Sequence, residues 1–155
     1  MKVETVNEKT PFFIESVEIN APKDFVFGFI DDYTKHKQWI KGLEDEKYNS
    51  VEGQVGSTFT QKIKMYGSED EYQGKVLEYE AGKLYQIEVG DKWVDFKIEY
   101  AVEEISKETT LLTETAWILK GVSFYKLFKI IDRHILHEQL KRLKDIAETE
   151  YKKNK

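Results

Sequence analysis

The chain contains no cysteine, which excludes disulfides, thiolate metal sites and cysteine nucleophiles together. It also lacks any run approaching the roughly 20 apolar residues of a membrane span, and its N-terminal MKVETVNEKT is polar where a secretory leader is apolar. Positive charge is not in excess. Lys and Arg number 24 against 29 Asp and Glu, a balance that disfavours a general nucleic-acid binder. Phosphate-binding glycine loops, nucleophile elbows and zinc-protease motifs are missing as well. No repeat, low-complexity stretch or internal linker divides the 155 residues. These absences lead to the expectation of one soluble, cytoplasmic domain spanning 1–155, long enough to bury about 70% of its unfolded surface.

What is present begins with a strand. FFIESVEI alternates, with Phe13, Val17 and Ile19 on one parity and Ser16 and Glu18 on the other. Asn20 is then expected to cap a helix whose start is marked by Pro22. Phe25, Val26, Phe29 and Ile30 follow at helical spacing, and Asp31-Asp32 can open a second short helix ending near Trp39 and Ile40.

Beyond Trp39 the period shortens to two. Strands are expected near Glu44–Asn49, Ser57–Tyr66, Glu71–Tyr79, Leu84–Val89, Trp93–Ile105 and Thr110–Leu119, joined by short connections with tight turns at Gly82 and Gly90. The Leu43 to Gly56 segment reads equally as an edge strand or a loop. In WVDFKIEYAVEEI the parity of Phe96, Ile98 and Tyr100 is apolar and the other is charged, so one face is covered. The corresponding covered residues are Tyr85, Ile87 and Val89 in KLYQIEV and Phe59, Gln61, Ile63 and Met65 in STFTQKIKMY. The last element, Ser123 to Tyr151, reads as a long helix with an apolar stripe through Leu127, Phe128, Ile131, Ile135, Leu136, Leu140 and Leu143. Its first half is apolar over a wider arc, which suits either the wall of a cavity or the tighter end of the core. A twisted antiparallel sheet around such a helix leaves room for a mostly apolar pocket.

Ile19-x-Ala21-Pro22-x-x-x-Val26-Phe27, Asp32, Trp39, Val55-Gly56-Ser57-x-Phe59, the TTLLTETAW strand and the final RLKDIAE together resemble the START-like (SRPBCC) superfamily. The polyketide cyclase/dehydrase-like branch is the most similar, over about Phe12 to Glu148. The resemblance implies an α+β helix-grip fold: a seven-stranded antiparallel sheet, two short helices after the first strand, and a C-terminal helix gripped around a ligand cavity. It does not imply one activity, since the superfamily includes lipid and hormone carriers, aromatic cyclases, Rieske-oxygenase catalytic domains and chaperone-ATPase activators.

Matching Thr110–Leu119 to the family pattern places Leu112, Glu114, Ala116 and Ile118 inward. The opposite parity, with Leu111, Thr113, Thr115 and Trp117 inward, leaves Glu114 in solvent. An inward Glu114 is desolvated, and its raised pKa suits a general acid or base near neutral pH. Gln61 is a ligand-selectivity candidate. The expected lining is Phe59, Gln61, Ile63, Met65, Tyr66, Tyr85, Ile87, Phe96, Ile98, Tyr100, Leu112, Glu114, Phe124, Phe128 and Ile131, with the tyrosine hydroxyls able to hold a ligand oxygen. Trp39 reads as structural. His36, in Lys35-His36-Lys37, is expected to be exposed. His134 and His137 have the i, i+3 spacing of a metal pair but no evident third ligand, and no two-His-one-carboxylate set can be assembled. No metal or cofactor is expected, and the expected partner is a small hydrophobic molecule, without nucleic acid or stable membrane insertion. Three functions follow: a carrier for an aromatic, polyketide-like or lipid-like molecule; a cofactor-free aromatase/cyclase or dehydratase using Glu114; or a protein-interaction module of the chaperone-ATPase-activator kind.

Overall fold

A computed structural model describes residues 10–120 and 133–154. Seven strands form one antiparallel sheet: β1 (Phe13–Ile19), β2 (Leu43–Asn49), β3 (Thr58–Met65), β4 (Ser68–Glu80), β5 (Leu84–Gly90), β6 (Asp95–Ser106) and β7 (Thr109–Lys120). Their order is β1-β7-β6-β5-β4-β3-β2, so among the described strands only β1 on β7 is a non-sequential pair. Helix α1 (Lys23–Asp31) and a 3-10 helix (Tyr33–Gln38) follow β1, and helix α2 (Arg133–Lys153) follows β7. This is the helix-grip arrangement. Among the described residues no helix is long and apolar enough to cross a membrane.

Alternation makes the sheet one-sided. Along β5, β6 as far as Val102 and β7 as far as Ile118, every second side chain is buried, including Tyr85, Ile87, Phe96, Ile98, Tyr100, Leu112, Glu114, Ala116 and Ile118. The inner face is covered by α2 through Ile135, Leu136, Leu140, Leu143 and Ala147, a stripe at three- and four-residue spacing, and by Val26, Phe27, Phe29 and Ile30 of α1. Leu43–Asn49 is an edge strand paired with β3, and the chain is loop only after Asn49.

Two expected details differ. Asn20 does not cap α1; the N-cap is Pro22, in extended conformation and without a side-chain cap bond. Asn20 lies two residues too early, and its backbone N–H instead donates to Glu148 Oε2 of α2 at 2.8 Å. Gly90 is the last residue of β5 rather than a turn. The turn follows it, where the Asp91 side chain accepts from the N–H groups of Trp93 and Val94 at 2.7 and 2.9 Å. Gly90 is needed for close approach, because a Cβ there would meet the Val94 carbonyl oxygen.

Candidate functional site

Between the inner face and α2 the described residues line a partly open cavity of about 40 Å³. Its lining is mostly apolar, with Ile40, Ile63, Met65, Ile87, Val89, Ile98 and Leu136, and it carries polar groups from Gln61, Tyr100, Gln139 and Lys41. That volume accommodates a water molecule, whereas drug-sized ligands occupy roughly 300–1,000 Å³. Six expected residues therefore line it: Gln61, Ile63, Met65, Ile87, Ile98 and Tyr100. Phe59, Tyr85, Phe96, Leu112 and Glu114 are buried on the same face without lining this space. Phe124, Phe128 and Ile131 lie outside the described residues.

Tyr66 is a correction. It is 78% exposed and occupies, with Gly67, the two-residue turn joining β3 to β4, with φ of 52° and 78°. Positive φ at both central positions is the geometry of a tight hairpin whose twist matches the strands. It ends the alternation at Met65 and turns the phenol to solvent.

Glu114 is the chemically distinctive group. It is fully buried, and neither carboxylate oxygen has a hydrogen-bond partner among the described residues. Strand register sets Glu15 of β1 directly opposite it on one side and Tyr100 of β6 on the other, and Tyr100 in turn faces Tyr85 of β5. With adjacent strands about 4.8 Å apart, these four side chains form a polar row across the inner face. Burial raises the Glu114 pKa from 4.5 to about 8, and the negative charge of Glu15 adds to the rise. The Tyr100 phenol is pushed well above its ordinary value by burial and then by Glu114. Glu15 is itself held by His137 of α2, whose Nδ1 lies 2.7 Å from Glu15 Oε1.

A second buried carboxylate stands at the β2 edge. Glu46 Oε1 is 2.8 Å from His36 Nδ1, while His36 Nε2 is 2.6 Å from the Ile30 carbonyl oxygen. The expectation of an exposed His36 is thus overturned. In a 3-10 helix residues i and i+3 share a face, so His36 and Trp39 turn inward together while Lys37 and Gln38 remain outside. A carbonyl oxygen only accepts, so Nε2 donates to Ile30, and Nδ1 donates to Glu46 when the ring is an imidazolium. Burial lowers the His36 pKa, but the Glu46 hydrogen bond and charge, with the Ile30 carbonyl, more than reverse it, and the net shift is upward. Glu46 Oε2 is left buried without a partner among the described residues. Trp39, read as structural, is buried and donates from Nε1 to the Phe29 carbonyl at 2.8 Å.

His134 and His137 are both exposed, and no group of three or more metal-ligating side chains occurs among the described residues. On the outer face an open groove of about 970 Å³ surrounds Trp93, lined by charged residues including Glu88, Asp91, Lys92, Asp95 and Lys120. Asp95 is pushed up to about 7 there by partial burial and by the neighbouring Glu88 carboxylate. The groove is open and polar, and lacks the apolar enclosure that hydrophobic ligands require.

Of the residues outside the expected lining, Val89 and Leu136 had a legible signal, since each continues a covered parity or an apolar stripe. Gln139 had none, because an amide among Glu138 and Lys141 reads as helix surface.

Fold and site together define a START-like protein of the helix-grip type. The family described as polyketide cyclase / dehydrase and lipid transport matches residues 13–148, and the chain belongs to it. No curated protein matches the sequence. Among solved structures, the di-domain ARO/CYC StfQ from the steffimycin biosynthetic pathway is similar at a TM-score of 0.74 and 11% identity, over 89% of this chain and 45% of that one. The chain thus spans about half the length of that di-domain protein. A START superfamily protein from Mycobacterium smegmatis gives 0.68 at 11% identity over 92% and 98% of the two chains. The Zhui aromatase/cyclase from a Streptomyces species gives 0.61 at 14% identity over 90% and 88%. At these identities the likeness shows the fold.

Proposed function

We propose that the interior between sheet and α2 binds a small hydrophobic molecule. The observation that carries this reading is Glu114, a carboxyl group buried with both oxygens unpartnered on a face whose adjoining cavity is otherwise mostly apolar. Native proteins rarely retain such a group without a use, because an unmade buried hydrogen bond costs about 1–3 kcal/mol. The lipid-transport part of the family description supports the same reading. A cavity of about 40 Å³ admits a ligand only when its lining moves. Met65, Gln61 and Gln139 are unbranched side chains with several rotatable bonds and suit that movement.

Native mass spectrometry of the purified protein, backed by thermal shifts with fatty acids, sterols, flavonoids and aromatic polyketides, tests the reading. A ligand at a hundred times its Kd should stabilise the protein by about 2.7 kcal/mol. A protein that carries no molecule and shifts with none of the panel contradicts it.

A second reading has its own support. A carboxyl that keeps its proton to about pH 8 is matched to general acid or base work near neutrality, and two of the similar structures are aromatase/cyclases by name. Under it the protein folds a polyketide-like chain and catalyses a cyclisation or dehydration through Glu114. Glu114→Gln should then abolish turnover while sparing binding, and a wild-type protein that turns over no such substrate rejects it.

A further inference from the structure

The inner face presents three buried carboxylate oxygens that accept from no described residue: both of Glu114 and Oε2 of Glu46. They differ in freedom. Glu46 is committed to His36 through its other oxygen. Glu114 has no such partner, and its lateral neighbours in the sheet are Glu15, another carboxylate, and the Tyr100 phenol. Glu15 is engaged by His137 of α2, and Asp31 of α1 by the Tyr79 hydroxyl at 2.8 Å. Among the described residues the two imidazoles that meet carboxylates of this face, those of His36 and His137, are therefore already engaged, while the unmet demand at Glu114 is for hydrogen-bond donors and positive charge. Lys41, a cation lining the cavity, is exposed.

We propose that the interior selects a hydrophobic molecule bearing a basic amine, with the ligand ammonium pairing with the Glu114 carboxylate. The inference rests on the hydrophobic-ligand reading above and names the ligand's polar end. A primary ammonium offers three N–H donors and one positive charge, which meets both the missing bonds and the missing charge. A carboxylate headgroup can accept only the one proton that Glu114 itself holds, brings neither a donor nor positive charge, and adds repulsion from Glu15 and Glu46. Proton balance makes the step distinctive. Glu114 without ligand holds its proton to about pH 8, so an ammonium that pairs with it displaces that proton to solvent, one for each ligand bound. The Glu114 O–H bond breaks and its proton passes to water or buffer, no covalent bond forms between ligand and protein, and the ligand nitrogen stays protonated throughout.

The test uses three probes of one chain length, dodecylamine, dodecanol and dodecanoate, titrated below their micellar concentrations into the full-length protein at pH 6.5 and 9, with proton release followed by a pH dye in weak buffer. Dodecylamine should bind at least tenfold more tightly than either other probe and release close to one proton at pH 6.5 and far less at pH 9. Glu114→Gln should remove the tenfold preference while still binding dodecanol. Dodecanoate binding as tightly as the amine, through Lys41 for instance, overturns the inference and leaves the hydrophobic-ligand reading standing. Amine binding without proton release in the wild type overturns it independently of how the variant folds. If none of the three binds, both readings fail.

Discussion

Glu114 holds its proton at neutral pH because water is excluded and the nearest charge, Glu15, has the same sign. The consequence for stability has a definite direction. The folded pKa lies above the unfolded one, so the folded state binds the extra proton between about pH 4.5 and 8. Its stabilising contribution is complete below pH 4.5 and is lost as pH rises through 8. Urea unfolding across pH 4.5 to 9 should show wild type losing stability relative to Glu114→Gln, by up to about 1.4 kcal/mol per pH unit. Parallel curves for the two proteins contradict this. His36 behaves as a fastener rather than a solvated side chain. Removing one member of a buried ion pair leaves the other charge uncompensated, so His36→Leu should cost about 3–5 kcal/mol by chemical denaturation at pH 6. Neither role was readable from residue type alone. Lys35-His36-Lys37 looks like a solvated charge run, and the partner that reverses that reading comes ten residues later on another element. Glu114 was placed inward by the family pattern, while its own strand, TTLLTETAW, fits either parity by composition.

At the scale of elements, alternation carried most of the information. β5, and β6 as far as Val102, have one apolar parity, and a one-residue slip would expose all of it, so their faces were legible residue by residue. Element ends were less so, because caps and turns depend on single φ values. Asn20 has the chemistry of a cap but stands two residues before the position, and Tyr66 leaves the β3 parity because its φ is positive. Gly74 shows a further constraint hidden from pattern reading. It pairs with Phe59 across β3 and β4, and a Cβ at Gly74 would stand in the Phe59 ring. Gly74→Ala should therefore displace that ring from the inner face and destabilise the protein by about 1–3 kcal/mol in thermal or urea unfolding. An unchanged midpoint would mean that Phe59 has an equally good alternative position.

For the molecule as a whole, the sheet and α2 bring six expected lining residues to one small cavity, and the space lined by the described residues is smaller than a drug-sized ligand. Volume is a property of how far sheet and helix stand apart, set by side chains from β3, β5, β6 and α2 together, and periodicity carries no record of that separation. The interior also proves more acidic than an apolar pocket reading suggests. Glu46 and Glu114 are both buried on it, held there by register and by a 3-10 turn that no motif marks. Entry of a hydrophobic molecule between sheet and helix is the step on which the proposed function depends. Its most direct test is native mass spectrometry of wild type and Ile98→Phe titrated with dodecanol, with circular dichroism confirming that both are folded. Ile98 lines the cavity, so a one-to-one complex is expected for the wild type and at least tenfold weaker binding for the variant. Equal binding by the two proteins, or none by the wild type, would contradict it.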